Sequence, residues 1–182
     1  MKQNRQTAES SKGGRRFLFR FGKAQRGSAA VEFALVGIPF LMLLLAMLET
    51  GIIFFANASI DHTTAQNARL IRTGQAQNGG FDEAAFKQSM CDGLTFLPDC
   101  LTRLHLDVRT FDSFADVNFP PPIENGELTG NNQFQPGNAG DIVLVRAFYE
   151  WPVASPIATG LSTMSDGSRL LMASTAFRNE PF

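Results

Sequence analysis

Polar side chains disappear from the chain between residues 33 and 48, where the sequence reads FALVGIPFLMLLLAML. The apolar stretch continues upstream across Glu32 through residues 29–31. Downstream it continues across Glu49, Thr50 and Gly51 through residues 52–56. A helix over residues 29–48 rises about 30 Å at 1.5 Å per residue, the hydrocarbon thickness of a bilayer. The core helix of a soluble protein keeps a polar face, and this run has none. The pattern therefore predicts a transmembrane helix, with residues 28–56 as the spanning segment.

Beyond the span the apolar positions recur at helical spacing. Ile60, Thr64, Ala68 and Ile71 share one stripe, with Asn57, Asp61 and Arg72 off it, and Thr73-Gly74 marks the stop. A short helix is predicted from Asp82 to about Cys91, with Phe81, Ala85, Phe86 and Met90 as its apolar contacts. The period then changes to two: Leu104, Leu106 and Val108 alternate with Arg103, His105, Asp107 and Arg109, the pattern of a half-buried strand. Residues 142–151 are β-branched and aromatic and stop at Pro152, a second strand; residues 168–177 are a third. Between them, residues 113–140 carry Pro120-Pro121-Pro122 and Asn131-Asn132 and read as a long loop. Three strands packed on the outer part of a long helix make an α+β domain over residues 57–182, with a small, mainly antiparallel sheet.

Charge gives the span a direction. The formal net charge of the 182-residue chain is −1, but it divides sharply: residues 1–27 hold eight basic side chains and one acid, net +7, and residues 28–182 are net −8. Lys2, Arg5, Lys12, Arg15, Arg16, Arg20, Lys23 and Arg26 all precede the apolar run, and the next basic residue after it is Arg69. Basic flanks stay cytoplasmic, so residues 1–27 are expected inside and the α+β domain outside. Retention explains this tail more simply than binding to nucleic acid or anionic lipid. The run is too long for a secretory signal, and Leu45-Ala46-Met47-Leu48-Glu49 is a poor cleavage site, so the span is expected to stay in the mature chain.

Glu32 is the outlier at the lip of the span. A carboxylate in hydrocarbon costs about 2.5–3.5 kcal/mol on insertion scales and usually has a partner. Gly27 precedes Ser28-Ala29-Ala30-Val31-Glu32-Phe33. A cut after Gly27 would put a new α-amine on Ser28, four residues and one helical turn from Glu32, where it neutralises that carboxylate or the one on an adjacent subunit.

A basic leader, Gly, four small or apolar residues, Glu-Phe and a long apolar helix resemble the prepilin-peptidase site of type IV pilins and pseudopilins. Gly27 through Leu35 and on to Pro39, followed by Ala65-Gln66-Asn67-Ala68-Arg69-Leu70-Ile71-Arg72-Thr73-Gly74, are similar to the TadE-like family of tight-adherence (Flp-type) pilus systems. The ending Phe177-Arg178-Asn179-Glu180-Pro181-Phe182 resembles C-termini in that family; residues 80–140 carry no family motif. The resemblance implies a pilin-like fold and a minor pseudopilin needed for assembly of a type IVb pilus and cell adhesion. It implies processing at Gly27, Ser28, Glu32 and Phe33, and partners in the inner membrane, a prepilin peptidase, other pilins and the pilus assembly platform, with no nucleic acid. It places the chain in a bacterial inner membrane, N-terminus cytoplasmic and C-terminal domain periplasmic. Major Flp pilins are much shorter, which argues against this being the fibre subunit. The alternative is an uncleaved, single-pass, membrane-anchored periplasmic binding or envelope protein, like the larger TadG-like proteins.

Pro39 removes one backbone donor inside the helix, and Gly37 and Gly51 permit close helix approach. A packing kink in a pilus or assembly platform and a tolerated break in a lone anchor explain it equally. Glu49 closes the apolar run and marks the outer interface. Cys91 and Cys100, nine positions apart, are expected to close a loop in an oxidising periplasm. Two cysteines without a histidine pair make no zinc site. The only histidines, His62 and His105, sit on a polar helix and on the exposed face of a strand, and Asp107, Asp112 and Asp116 read as a solvated face. No nucleophile elbow, phosphate loop, zinc motif or dinucleotide fingerprint occurs. Neither catalysis nor a metal or cofactor is expected.

Overall fold

A computed structural model describes residues 25–130, 132–153 and 158–182, with the side chains at 25–28, 158 and 159 left aside. The basic leader before residue 25 lies outside the described residues. The chain falls into two compact units, residues 1–44 and 45–182.

Helix α1 (Gln25–Arg72) is a 48-residue helix and runs through Pro39 without a break. In the first unit its side chains from Ala29 onward point outward with no buried face: Phe33 is 79% exposed and Leu35 71%. The same holds at the start of the second unit, where Leu45, Met47 and Leu48 are exposed. From Ile53 the helix becomes amphipathic. Ile53, Ala56, Ile60, Thr63, Thr64, Asn67, Ala68 and Ile71 are buried, a stripe at the 3.6 period that includes all four positions of the sequence pattern.

Helix α2 (Gln75–Asn78) is a single turn after Gly74. Helix α3 (Glu83–Gly93) is capped by Asp82, whose carboxylate accepts from the Ala85 N–H at 2.7 Å. It buries Phe86 and Met90, while Ala85, expected among its contacts, faces solvent. Helix α4 (Cys100–Arg103) leads directly into the sheet.

The sheet has three antiparallel strands in the order β1-β4-β5: β1 (Leu104–Phe111), β4 (Ile142–Trp151) and β5 (Arg169–Arg178). A separate two-stranded hairpin, β2 (Ile123–Glu124) and β3 (Glu127–Leu128), lies between β1 and β4 in sequence. The architecture is α+β, as the sequence pattern predicts.

Strand β4 shows why its sequence does not alternate. Residues 142–149 are all buried, because both faces of the central strand are covered. Val143, Val145, Ala147 and Tyr149 join Leu104, Leu106, Val108, Leu171 and Ala173 in the core shared with Ile53, Ala56, Ile60, Ala68 and Ile71 of the helix. On the opposite face, the segment after β1 supplies the cover. That segment, read from sequence as one long loop, holds the β2–β3 hairpin, turned by Asn125-Gly126 with both φ positive (54° and 82°), the two-residue turn that suits strand twist. It also lays Gln133–Gln135 along the outer edge of β1: Val108 N–H donates to Gln133 O at 2.7 Å, and Gln135 N–H to Val108 O at 2.9 Å. Phe134 then packs on Phe86, ring centroids 5.6 Å apart.

Candidate functional site: processing motif and membrane helix

Gly27 and Ser28 lie in the first turns of α1, and Glu32 follows one turn after Ser28. Residues 28 and 32 are therefore i, i+4 neighbours on one helical face. Glu32 and Phe33 are exposed. A little further along, Ala30, Val31, Ala34, Leu35, Ile38 and Pro39 line an apolar groove of about 420 Å³. A Cβ added to Gly37 would touch only the Phe33 ring of the same helix, and one on Gly51 would meet nothing within 4 Å. Gly51 thus faces open space, while the Phe33 ring lies against Gly37.

The helix meets the physical conditions for a membrane anchor. Its apolar window reaches a mean hydropathy of 2.4 with none of the window buried. An apolar rod of this length with no protein cover is stable only in lipid or against other helices.

Cys91 and Cys100 are joined by a disulfide with Cα atoms 5.7 Å apart, closing the end of α3 onto the start of α4. Leu94 and Leu97 of the enclosed loop are buried, and the Tyr149 hydroxyl donates to Pro98 O. Burial holds the Tyr149 phenol protonated, its pKa pushed up to about 12, so the donor persists.

Two further arrangements escaped the sequence reading. Asp107, grouped there with a solvated face, is 1% exposed. It sits directly opposite Arg146 in the β1–β4 register and accepts from Arg146 Nε at 3.1 Å and from Nη2, from Arg109 Nε at 2.8 Å, and from the Gln133 N–H at 3.1 Å. Arg146 also donates to Pro120 O and lies over the Phe148 ring, 5.2 Å from its centroid. This network fastens the cover segment to the sheet beside a polar pocket of about 470 Å³. The available signal was Arg146, the one charge in the otherwise apolar run 142–149 of β4, which demands a buried partner. Asp112 and Asp116 remain exposed.

His105 is half-buried, not exposed, with Nε2 3.3 Å from Glu150 Oε1. Desolvation lowers its pKa, and the Glu150 carboxylate partly opposes that. Among the described residues no group of three or more His, Cys, Asp or Glu side chains is placed to hold a metal ion.

The second arrangement joins the end of α1 to the end of the chain. Arg72 Nε lies 3.3 Å from Glu180 Oε1, and Glu180 N–H donates to Arg72 O at 2.8 Å. Asn179 Nδ2 donates to Pro136 O and Asn138 O. Phe182 lies so close over Gly74 (φ 74°) that an added Cβ would fall 2.3 Å from its ring, so this position needs glycine for both space and backbone. The two stretches 65–74 and 177–182, far apart in sequence, meet here.

No curated protein and no solved structure matches the chain. A family model described as TadE-like protein matches residues 27–69, starting at Gly27 and ending three residues short of the helix C-terminus. The matched stretch, which holds the apolar helix, its acidic outlier and most of its buried stripe, is similar to TadE-like proteins, and that similarity supports involvement in tight-adherence pilus assembly.

Proposed function

We propose that this chain is a non-catalytic, pseudopilin-like minor subunit of a tight-adherence type IVb pilus, matured by a prepilin peptidase that cuts between Gly27 and Ser28. The observation that carries this reading is the TadE-like match beginning at Gly27, with Glu32 at the fifth position after it and an unburied apolar helix behind it. Before cleavage, the +7 leader holds the N-terminus in the cytoplasm. After cleavage, the Ser28 ammonium and Glu32, one turn apart, form a neutral pair that enters a low-dielectric setting far more cheaply than either charge alone. The groove beside Pro39 then receives the helix of another pilin or of the assembly platform. The domain from residue 57 onward projects into the periplasm, an oxidising compartment that suits the Cys91–Cys100 bridge.

The test is N-terminal sequencing or intact mass of membrane-extracted protein from cells with an active prepilin peptidase. A chain starting at Ser28 is expected. A chain still starting at Met1 overturns processing and leaves an uncleaved periplasmic tether. The paired substitution Gly27→Ala, Glu32→Ala is expected to abolish both processing and surface pili, and unchanged piliation with unchanged mass would favour the tether.

A further inference from the structure

The disulfide loop between Cys91 and Cys100 is built to present a single apolar side chain. Leu94 and Leu97 point into the core, Pro98 O is held by Tyr149, and the bridge closes the loop's ends. Phe96 alone among the loop's large apolar residues is left outside, 43% exposed, with its ring 5.0 Å from that of Phe55. Phe55 is itself 61% exposed, and exposed apolar side chains of the helix lead to it: Leu45, Met47 and Leu48 before Glu49 and Thr50, Ile52 and Phe54 after them. Phe55 lies seven residues past Leu48, about 10 Å along the axis. Helical side chains lean toward the N-terminus, which brings its ring back into the headgroup layer, about 5–8 Å deep on each side of the hydrocarbon.

We infer that Phe96, paired with Phe55, is a second membrane contact: the disulfide loop dips into the outer surface of the bilayer and fixes the orientation of the α+β domain on it. The inference rests on α1 being a membrane span. The loop is rigid before it meets lipid, so inserting one ring costs little ordering entropy. Charge selects the lipid. Asp92 and Asp99 lie inside the loop, next to its two cysteines, and Asp99 is held 3.7 Å from Arg103; the partner these charges suit is therefore a zwitterionic phospholipid surface, not an anionic one.

The experiment uses the full chain with Phe96→Trp in a Trp151→Phe background. Trp151 is the only native tryptophan, and its buried Nε1 has no hydrogen-bond partner, so its loss is tolerable. The protein is reconstituted into phosphatidylcholine vesicles brominated near the headgroup end of the acyl chains. Brominated lipid is expected to quench the indole at position 96 at least about twofold more than one placed by Phe119→Trp, another exposed position. Hydroxyl-radical footprinting of the unaltered chain in the same vesicles is expected to oxidise Phe96 at least about fivefold more slowly than Phe119. Extraction of the chain by alkaline wash would overturn the membrane span itself. Retention with equal quenching at the two positions overturns only the loop contact. Protection of Phe96 that grows with protein-to-lipid ratio and comes without bromine quenching assigns the ring to a protein partner and likewise overturns it.

Discussion

One helix in this molecule lives by two different rules. Over residues 33–48 every side chain is apolar and none is buried; over residues 53–71 polar and apolar alternate by turns, and eight positions are buried against the sheet and short helices. Hydropathy alone makes the first stretch the more hydrophobic, yet it is the second that holds the protein core. The difference teaches that an unbroken apolar surface answers a surrounding solvent, lipid or neighbouring helices, whereas an apolar stripe answers a partner on one side. Among the polar members of the stripe, Asn67 fits this rule: it donates to Thr63 O at 3.0 Å within the helix and accepts from Ser89 Oγ of α3 at 2.8 Å, so its amide is not buried at full desolvation cost.

The sharpest break of the comparison comes from the charge hidden on the far face of the sheet. Asp107→Ala leaves Arg146 buried without its carboxylate and is expected to lower the stability of the α+β domain by about 3–5 kcal/mol, read by denaturant unfolding in detergent. A loss below about 1 kcal/mol would mean the guanidinium finds water or another acceptor. Next, truncations at matched chemistry separate the two parts of the helix. Ile60→Ala, at a fully buried site, is expected to cost the domain about 2–4 kcal/mol. Leu41→Ala, at a site 58% exposed, is expected to leave domain unfolding unchanged within about 0.5 kcal/mol; an equal effect from both would dissolve the distinction.

Replacing both Cys91 and Cys100 by Ser is expected to cost about 2–3 kcal/mol through the unfolded chain, measured against the disulfide-bonded parent. The smallest effect is a pH dependence. The folded-state pKa of His105 is depressed, chiefly by burial, so the folded domain binds its proton less readily than the unfolded chain. Its contribution to stability is complete above the ordinary histidine pKa of about 6.5 and fades as pH falls below it. His105→Gln is expected to flatten that slope, and an unchanged slope between pH 7 and 5 assigns it to the carboxylates.

The elements themselves were readable because each rests on local pattern. The stripe of Ile60, Thr64, Ala68 and Ile71, the helix beginning at Asp82, the period-two alternation of Leu104, Leu106 and Val108, and the strand ending at Pro152 all state their geometry within a few residues. The β2–β3 hairpin was masked because its strands are two residues long and sit among prolines and glycines, although Asn125-Gly126 was there to mark it. His105 and Asp107 were misjudged for a different reason. Alternation along β1 separates its two faces correctly, but says nothing about whether a later segment will fold over the second one.

The order of apolar and polar residues by itself determined the membrane-length helix, its charge asymmetry, the candidate processing motif and the α+β class, since lipid immersion and secondary structure depend on near neighbours in the chain. Only the tertiary structure decided that the Asp107 carboxylate meets Arg146, that the segment after β1 roofs the sheet, that Phe182 closes over Gly74, and that Phe96 stands beside Phe55. Those pairings join residues dozens of positions apart, and their energy exists only once strand register and chain closure have brought the partners within reach.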